Sequence, residues 1–387
     1  MSFRPESGLR RLWSASALGG LAQSLAGSAG SLIAGHITGS DRLAGLPQGM
    51  LVIGAGAAAP LISGLASRTG RRTALASGTA AAGAGCLVLL AGAVASALSL
   101  ILLGSVLLGA GNTAVMLSRY AAADLVPDAV RPRAMASILS ATTVGAVIGP
   151  NLLGPTGWFA DRIGLPGLAG SYLTGMIGYL SATAILAAGQ RGTPRRPVPR
   201  EATDLGPAVP ALLVLALANL VMVANMTMTP PQLHHHGLGL TGIGVVISLH
   251  IAAMFAPAPV SGRIIQRYGP IRSSAAAGCV LLLACALGVL GANSLPGMTV
   301  AVAVLGAGWN LGMLAGSALL IEAPGDRFRR ESWGEIGMGA AAGIGGVGSG
   351  IAMAGVGYAG LSAFSAVAAV LLVVFATNRP AVEGSRP

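Results

Sequence analysis

The chain has 387 residues, of which 53% are hydrophobic and only 9% are charged, and its mean hydropathy is +0.75. Because a soluble domain usually carries about a quarter of charged residues, this composition excludes a soluble protein and predicts an all-α polytopic membrane protein. The net charge of +11 rests on arginine alone, since the sequence contains no lysine.

Long apolar runs follow one another along the whole chain, with short breaks rich in glycine, proline or arginine. A transmembrane helix needs about 20 mainly apolar residues, and twelve runs reach that length. The predicted helices are 12–38, 46–66, 73–96, 98–118, 135–157, 166–188, 207–229, 238–261, 273–293, 296–321, 334–356 and 358–377.

Arginines between the predicted spans indicate the orientation of the chain. Most of them fall on one side of the membrane if the N-terminus is cytoplasmic, and only Arg42 and Arg162 fall on the other. The positive-inside rule therefore predicts that both termini are cytoplasmic. The positive charge is then explained by topology and by contact with the anionic lipid bilayer, and not by nucleic-acid binding. The cytoplasmic clusters are Arg10/Arg11, Arg68/Arg71/Arg72, Arg131/Arg133, Arg191/Arg195/Arg196/Arg200, Arg263/Arg267/Arg272, Arg327/Arg329/Arg330 and Arg379/Arg386.

A two-fold repeat organises the chain. A tight basic turn spans 64–75 after the second predicted helix, and a similar turn spans 262–272 after the eighth. Residues 189–206 are rich in proline and arginine, a composition typical of a linker. The repeat predicts a six-helix bundle over 1–188, a cytoplasmic linker over 189–206 and a second six-helix bundle over 207–387.

The first basic turn resembles a signature of the major facilitator superfamily, whose fold is two six-helix bundles. The residues in register are Leu65, Ala66, Arg68, Gly70, Arg71, Arg72 and Leu75, whereas Ser63 and Ser67 replace the glycine and the aspartate of the signature. In the fifth predicted helix, Gly145, Gly149, Pro150, Gly154 and Pro155 are similar to the Gly-Pro signature of the family's antiporters. Either close helix packing or a role in antiport accounts for that second pattern.

Few groups in the predicted spans can carry chemistry. The twelve acidic residues fall in loops or near predicted helix ends, which leaves His250 as the deep titratable side chain. No pattern of a nucleophile with a base and no phosphate-binding loop is present, so we expect neither an enzyme nor a bound cofactor. Cys86, Cys279 and Cys285 lie in apolar runs, where small core side chains are the main expectation and soft-metal ligation by Cys279 or Cys285 the alternative.

Two pairs of soft side chains stand out in the second half. Met222 and Met226 are four residues apart in the seventh predicted helix, and His250 and Met254 are four apart in the eighth. Each pair therefore lies on one helix face, and thioether with imidazole is a ligand set that suits copper. Packing of methionine in the core and a gating role for His250 are the alternatives. Met228 and His234, His235 and His236 would continue the series outward, as a collecting site or as a polar loop cap.

Five further side chains are weaker candidates for lining a cavity or for bonding between helices: Asn219, Asn225, Trp309, Asn310 and Met313.

The spacing of Met222, Met226, His250 and Met254 resembles that of CcoA-type copper importers of bacterial inner membranes. The resemblance implies that these four residues bind copper, that the cargo is a copper ion or a small copper chelate, and that import supplies assembly of a cbb3-type cytochrome c oxidase. We expect a monomer in the cell inner membrane. The alternative is proton-coupled efflux of drugs or small metabolites, which the Gly-Pro signature favours.

Overall fold

The structure is a computed structural model that describes residues 5–39, 43, 46–188, 205–238 and 240–377. The predicted linker lies outside these residues except for Leu205 and Gly206. Within them the regular structure is helical. The α-helices are α1 (Pro5–Thr38), α2 (Leu46–Thr69), α3 (Arg71–Val94), α4 (Leu98–Ala123), α5 (Arg131–Asn151), α6 (Leu153–Arg162), α7 (Ala169–Ala187), α8 (Val209–His235), α9 (Leu240–Phe255), α10 (Ala258–Tyr268), α11 (Pro270–Leu290), α12 (Leu295–Glu322) and α13 (Arg327–Thr377). Two 3-10 turns cover Asp128–Val130 and Gly206–Ala208.

These helices make the twelve predicted membrane spans. Helices α5 and α6 form one bent span, α9 and α10 form another, and α13 contains two spans in succession. The division of α13 falls at Gly357, whose φ of 69° and ψ of −177° are not helical and favour glycine. Eight described helices satisfy a length and hydropathy criterion for crossing a membrane, and the α5–α6 pair adds a ninth. The chain is thus a multi-pass membrane protein with the predicted all-α fold.

The two basic turns of the predicted repeat have the same backbone conformation. Gly70 has φ 94° and ψ 157°, and Gly269 has φ 81° and ψ 163°. A side chain rarely adopts a φ of this sign, so glycine allows the chain to reverse within one residue. Helices α3 and α11 consequently begin at the next residue, Arg71 and Pro270.

The described residues group into two compact units. The first contains residues within 1–205 together with 324–343, and the second contains residues within 206–323 and 344–387. The bundle limits of 1–188 and 207–387 remain a prediction from the sequence repeat.

The first unit has an apolar core in which α1, α3, α4 and α7 meet, with Cys86, Tyr172 and Tyr179 fully buried. Glycines bring α5 against α1: a Cβ at Gly145 would meet the backbone of Ala17, and one at Gly149 would meet Ser24. Gly145 and Gly149 therefore serve close helix packing, whereas a Cβ at Gly154 would meet nothing within 4 Å.

The second unit has two apolar clusters. One joins α8, α11, α12 and α13 and contains Cys285. The other contains Leu233, Met298, Val302 and Tyr358. All three cysteines are free thiols; Cys86 and Cys285 are buried and Cys279 is exposed. The expected core role therefore describes Cys86 and Cys285.

Candidate functional site

The two soft pairs lie on neighbouring helices of the second unit. Met222 and Met226 are on α8, and His250 and Met254 are on α9, which contacts α8. His250 is buried, with 1% of its surface exposed, and the three methionines are half-buried. Each pair spans one helical turn, as the sequence predicted.

His250 has a defined orientation. Its Nδ1 lies 2.7 Å from the carbonyl oxygen of Val302 on α12. Because a carbonyl oxygen can only accept a hydrogen bond, Nδ1 carries the hydrogen and donates it. In the neutral ring the other nitrogen, Nε2, is then an unprotonated acceptor, and it is buried with no hydrogen-bond partner among the described residues. A metal-ligating histidine is commonly held in this way, with the ring nitrogen that does not bind the metal donating to a backbone carbonyl. A buried acceptor such as Nε2 destabilises the fold unless a metal ion or a hydrogen-bond donor binds to it.

Helix α12 supports α9 at both members of the His250–Met254 pair. A Cβ on Gly306 would lie 2.8 Å from the carbonyl oxygen of His250 and 2.9 Å from the nitrogen of Met254, so the two backbones touch there. The side-chain amide of Asn310 donates to the carbonyl oxygen of Met254 at 2.6 Å and accepts from Ser261 at 2.7 Å. Met254 stands in the last turn of α9, just before the break between α9 and α10, where helix carbonyls lack their intrahelical partners. Asn310 thus satisfies a carbonyl that the break releases.

The methionines of α8 also take part in core packing. Met222 packs against the apolar cluster of α8, α11 and α12, and Met228 packs against the cluster that contains Met298. Met226 is half-buried. Packing is therefore a sufficient role for Met228. Met222 and Met226 lie one helical turn apart on the same face of α8, as the predicted ligand pair requires.

The three adjacent histidines at the end of α8 have different environments. His234 and His235 are exposed. His236 is half-buried, and its Nε2 donates to the carbonyl oxygen of Ala292 at 2.8 Å, a carbonyl that Gln232 also contacts at 3.1 Å. His236 therefore ties the end of α8 to the loop before α12, as a cap. Only the first two histidines remain open to solvent.

The weaker candidates from the sequence bond between helices. Trp309 donates its indole hydrogen to Asn219 at 2.9 Å, and Ser362 donates to Asn225 at 2.9 Å. Met313 is buried at 1% exposure. These contacts join α8 to α12 and to α13 within the second unit, which is the interhelical role that the sequence offered as one alternative.

Among the described residues, no three histidine, cysteine, aspartate or glutamate side chains cluster in a way that could hold a metal ion. A metal bound at His250 would therefore depend on thioether sulfur, which selects Cu(I) over harder ions.

The sequence interpretation missed an ionic cluster in the first unit, at whose centre Glu331 is fully buried. Arg71 donates from Nε to Asp124 at 2.6 Å and forms a two-pronged contact with Glu331. Arg327 also contacts both Asp124 and Glu331. These four residues are called the ionic cluster below. Ser67, which replaces the signature aspartate, donates to the carbonyl oxygen of Gly64 within α2.

A second ion pair lies one turn further along α13. Arg119 on α4 is fully buried and donates to Glu335 at 2.7 Å. Glu335 is the ninth residue of α13, which begins at Arg327, whereas the sequence placed the start at 334 and read the acids as lying near helix ends. The predicted start was therefore seven residues too late, and Glu335 lies two turns inside α13. Hydropathy could not show it, because the first turns of α13 are rich in charged residues whose ion pairs reach α3 and α4, as Arg327 does to Asp124 and Glu331 does to Arg71.

A signal for this second pair was present in the sequence. Arg119 stands alone at the end of the fourth apolar run, outside the arginine clusters that fix topology. An isolated arginine at such a place needs an acidic partner, and the acids four residues apart at 331 and 335 share one helix face.

Comparison with known proteins places this architecture among transporters. Residues 12–329 match the family model described as Major Facilitator Superfamily. The MFS-type transporter YddS of Bacillus subtilis is 33% identical over 366 residues, which cover 89% of this chain and 84% of that protein. The riboflavin transporter RfnT of Brucella anthropi is 28% identical over 242 residues, or 60% of each chain.

Solved structures show the same fold at low sequence identity. The human organic anion transporter MFSD10 superposes with a TM-score of 0.77 at 16% identity, covering 97% of this chain and 100% of that one. A bacterial homologue of the iron transporter ferroportin, in an outward-facing state with soaked iron, gives a TM-score of 0.77 at 16% identity over 95% of this chain and 98% of that one.

Proposed function

Since the chain belongs to the major facilitator superfamily, we propose that it is a transporter that imports copper across the bacterial inner membrane. The proposed ligands are two residues of α8 and two of α9: Met222, Met226, His250 and Met254. The cargo is a copper ion or a small copper chelate, which on this proposal supplies assembly of a cbb3-type oxidase.

One observation carries the proposal: within the part of the chain that the structure describes, the buried Nε2 of His250 has no hydrogen-bond partner. The bond from Nδ1 to Val302 fixes the tautomer and the ring direction before any cargo arrives. A neutral nitrogen with a free lone pair is a ligand for copper in either oxidation state, and Met254 on the same face supplies soft sulfur.

A neutral ligand set also suits the release of cargo. Thioether and imidazole are neutral, so they hold a monovalent cation without a fixed negative charge in the apolar interior. The cation is then bound weakly enough to be released. The two exposed histidines, His234 and His235, are proposed to collect copper at the mouth, whereas His236 and Met228 are assigned to capping and packing.

A second candidate cargo is an organic molecule such as riboflavin. The similarity to the riboflavin transporter RfnT favours it, and a ring nitrogen or hydroxyl hydrogen of an organic cargo could also bond to Nε2 of His250. Proton-coupled efflux of drugs or small metabolites belongs to the same class of function.

Radioactive copper uptake in cells that lack their own importer tests the proposal. The variants are Met222→Leu, Met226→Leu and Met254→Leu, which keep apolar volume and remove sulfur, together with His250→Ala. Met298→Leu is the matched control, because Met298 is a buried methionine of the second unit outside the ligand set. Protein amount in the membrane is equalised by immunoblot.

We expect uptake with the intact chain and with Met298→Leu, and background uptake with the four ligand variants. The same cells receive radioactive riboflavin in parallel. No copper uptake by a correctly inserted intact chain overturns the copper proposal. Riboflavin accumulation that survives the three Met→Leu changes would establish the organic cargo in its place.

A further inference from the structure

The two basic turns of the repeat differ in what their arginines contact. In the first turn, Arg71 belongs to the ionic cluster and Arg72 donates to the carbonyl oxygen of Leu186. The arginines of the second turn are all exposed, and none of them forms an ion pair or a hydrogen bond with a described residue: Arg263, Arg267 and Arg272. Arginines of the repeat therefore hold the fold together in the first unit, whereas those of the second unit face an outside partner.

The chain supplies little negative charge to neutralise the second basic turn. The described part of the second unit contains one acidic residue, Glu322 at the end of α12. The two remaining segments that the sequence predicts to be cytoplasmic, 189–204 and 378–387, each contain more arginines than acids. Charge complementarity therefore favours an anionic partner from outside the chain.

Exposed apolar faces continue from the arginines along both helices. On α10, Val260 shares a helix face with Arg263 and Arg267. Val260 is 53% exposed and lies about 10 Å from Arg267 along the helix, at ~1.5 Å per residue. On α11, the exposed face continues from Arg272 through side chains three or four residues apart: Ala276, Cys279 and Leu283. In a chain that spans a membrane, such faces contact lipid acyl chains, and arginines near helix ends extend to the lipid headgroups.

The turn at Gly269 brings the arginines of both helices to the same end of the second unit. Helix α10 ends at Tyr268, α11 begins at Pro270, and the two helices contact each other. Tyr268 is 51% exposed, and its ring centroid lies 5.5 Å from the guanidinium carbon of Arg267. Tyrosine is enriched at the level of the lipid headgroups, and arginine binds phosphate through two parallel hydrogen bonds. This end of the unit thus combines groups that bind phosphate with surfaces that suit acyl chains.

We propose that Arg263, Arg267 and Arg272 form a binding site for an anionic phospholipid, whose phosphate contacts the guanidinium groups and whose acyl chains lie along the exposed faces of α10 and α11. Free inorganic phosphate lacks the acyl contacts, so the lipid is the proposed ligand. The site depends on these particular arginines, unlike the general attraction of a basic protein to an anionic membrane surface, which depends on net charge. The inference goes beyond the proposed function and holds for copper or for an organic cargo.

Cys279 allows lipid at this site to be detected. It is an exposed thiol, whereas Cys86 and Cys285 are buried. It lies on the same face of α11 as Arg272, about 10 Å along the helix at ~1.5 Å per residue. A maleimide fluorophore on Cys279 therefore reports on the acyl chains beside the site, and Cys279→Ser gives the background labelling of the two buried thiols.

The test uses the full chain, labelled at Cys279, in phosphatidylcholine vesicles without copper. The vesicles contain a small fraction of spin-labelled lipid, either phosphatidylglycerol or phosphatidylcholine, whose nitroxide quenches the fluorophore on contact. The ratio of quenching by the two lipids measures the preference for the anionic headgroup. The variants are Arg267→Gln, Arg267→Lys, which keeps the charge, and the triple change of Arg263, Arg267 and Arg272 to Gln. Arg68→Gln is the matched control, because it removes one exposed arginine from the first basic turn.

We expect the intact chain and Arg68→Gln to prefer phosphatidylglycerol equally. Arg267→Gln should lower the preference about five-fold, Arg267→Lys should keep most of it, and the triple variant should lose it. The proposal is overturned if the two lipids quench the intact chain equally, and a preference that then appears in Glu201→Gln with Asp204→Asn would identify the linker as the occupant. An equal fall in Arg68→Gln and Arg267→Gln would show a diffuse effect of net charge instead of a site. Loss of the preference on adding inorganic phosphate, but not chloride at the same ionic strength, would identify free phosphate as the ligand and also overturn it.

Discussion

The contact between α12 and α9 at Gly306 gives a sharp prediction. Alanine at this position would place a Cβ 2.8 Å from the carbonyl oxygen of His250 and 2.9 Å from the nitrogen of Met254. Those atoms are backbone, so they cannot rotate away, and the helices must separate by several tenths of an ångström. Overpacking of this kind costs about 1–3 kcal/mol. Val302, one turn before Gly306, accepts the bond from His250, so the separation also loosens that bond.

Gly244 provides the matched control. It lies on α9, and a Cβ added there would meet nothing within 4 Å. Gly244→Ala therefore tests only the change in helix propensity, which favours alanine by about 1 kcal/mol. The comparison of the two variants isolates the cost of the close approach, because each replaces a helical glycine by alanine.

Thermal unfolding of the purified proteins, followed by size-exclusion chromatography after heating, measures the difference. We expect the apparent Tm of Gly306→Ala to fall below that of Gly244→Ala by roughly 2–6 °C, at about 2 °C per kcal/mol. We also expect weaker Cu(I) binding by Gly306→Ala alone. Equal Tm values and equal binding for the two variants would refute the account of how α12 orients His250.

Three further predictions concern other contacts. Arg119→Ala removes the ion-pair partner of Glu335 and should destabilise the chain by about 3–5 kcal/mol. The double variant with Glu335→Gln should recover part of that loss in thermal unfolding. Strictly additive effects of the two changes would contradict the ion pair. His236→Ala removes the bond to the loop before α12 and should lower stability by about 0.5–1.5 kcal/mol, whereas His234→Ala, at an exposed position, should leave the Tm unchanged. Gly145→Val would place side-chain atoms against the backbone of α1, so we expect little folded protein by size-exclusion chromatography. A normal yield would contradict the close packing of α5 against α1.

The periodic features of the sequence predicted the membrane architecture. The twelve apolar runs correspond to the twelve spans, and the repeat of Gly70 and Gly269 predicted two equivalent reversals before α3 and α11. These features are local: the length of an apolar run and the identity of one residue at a turn are enough to fix them. The membership of the major facilitator superfamily, which the first turn implied, was confirmed by the family match.

The features that depend on distant partners could not be read in the same way. The bond from His250 to Val302 joins residues 52 apart, and the pair of Arg119 and Glu335 joins residues 216 apart. Sequence alone gave His250 and the methionines as candidates but not which nitrogen of the ring is free. The three adjacent histidines looked equivalent, and only the fold separates His236 from its two exposed neighbours.

Coordination of Cu(I) by the purified chain tests the central claim most directly. X-ray absorption at the copper edge distinguishes nitrogen from sulfur ligands in the loaded intact protein, in Met298→Leu and in the variants of the ligand set. We expect one bound Cu(I) with both nitrogen and sulfur ligands, loss of the nitrogen ligand in His250→Ala, and fewer sulfur ligands in Met254→Leu. Copper bound equally by His250→Ala, or without any sulfur ligand in the intact chain, would contradict it.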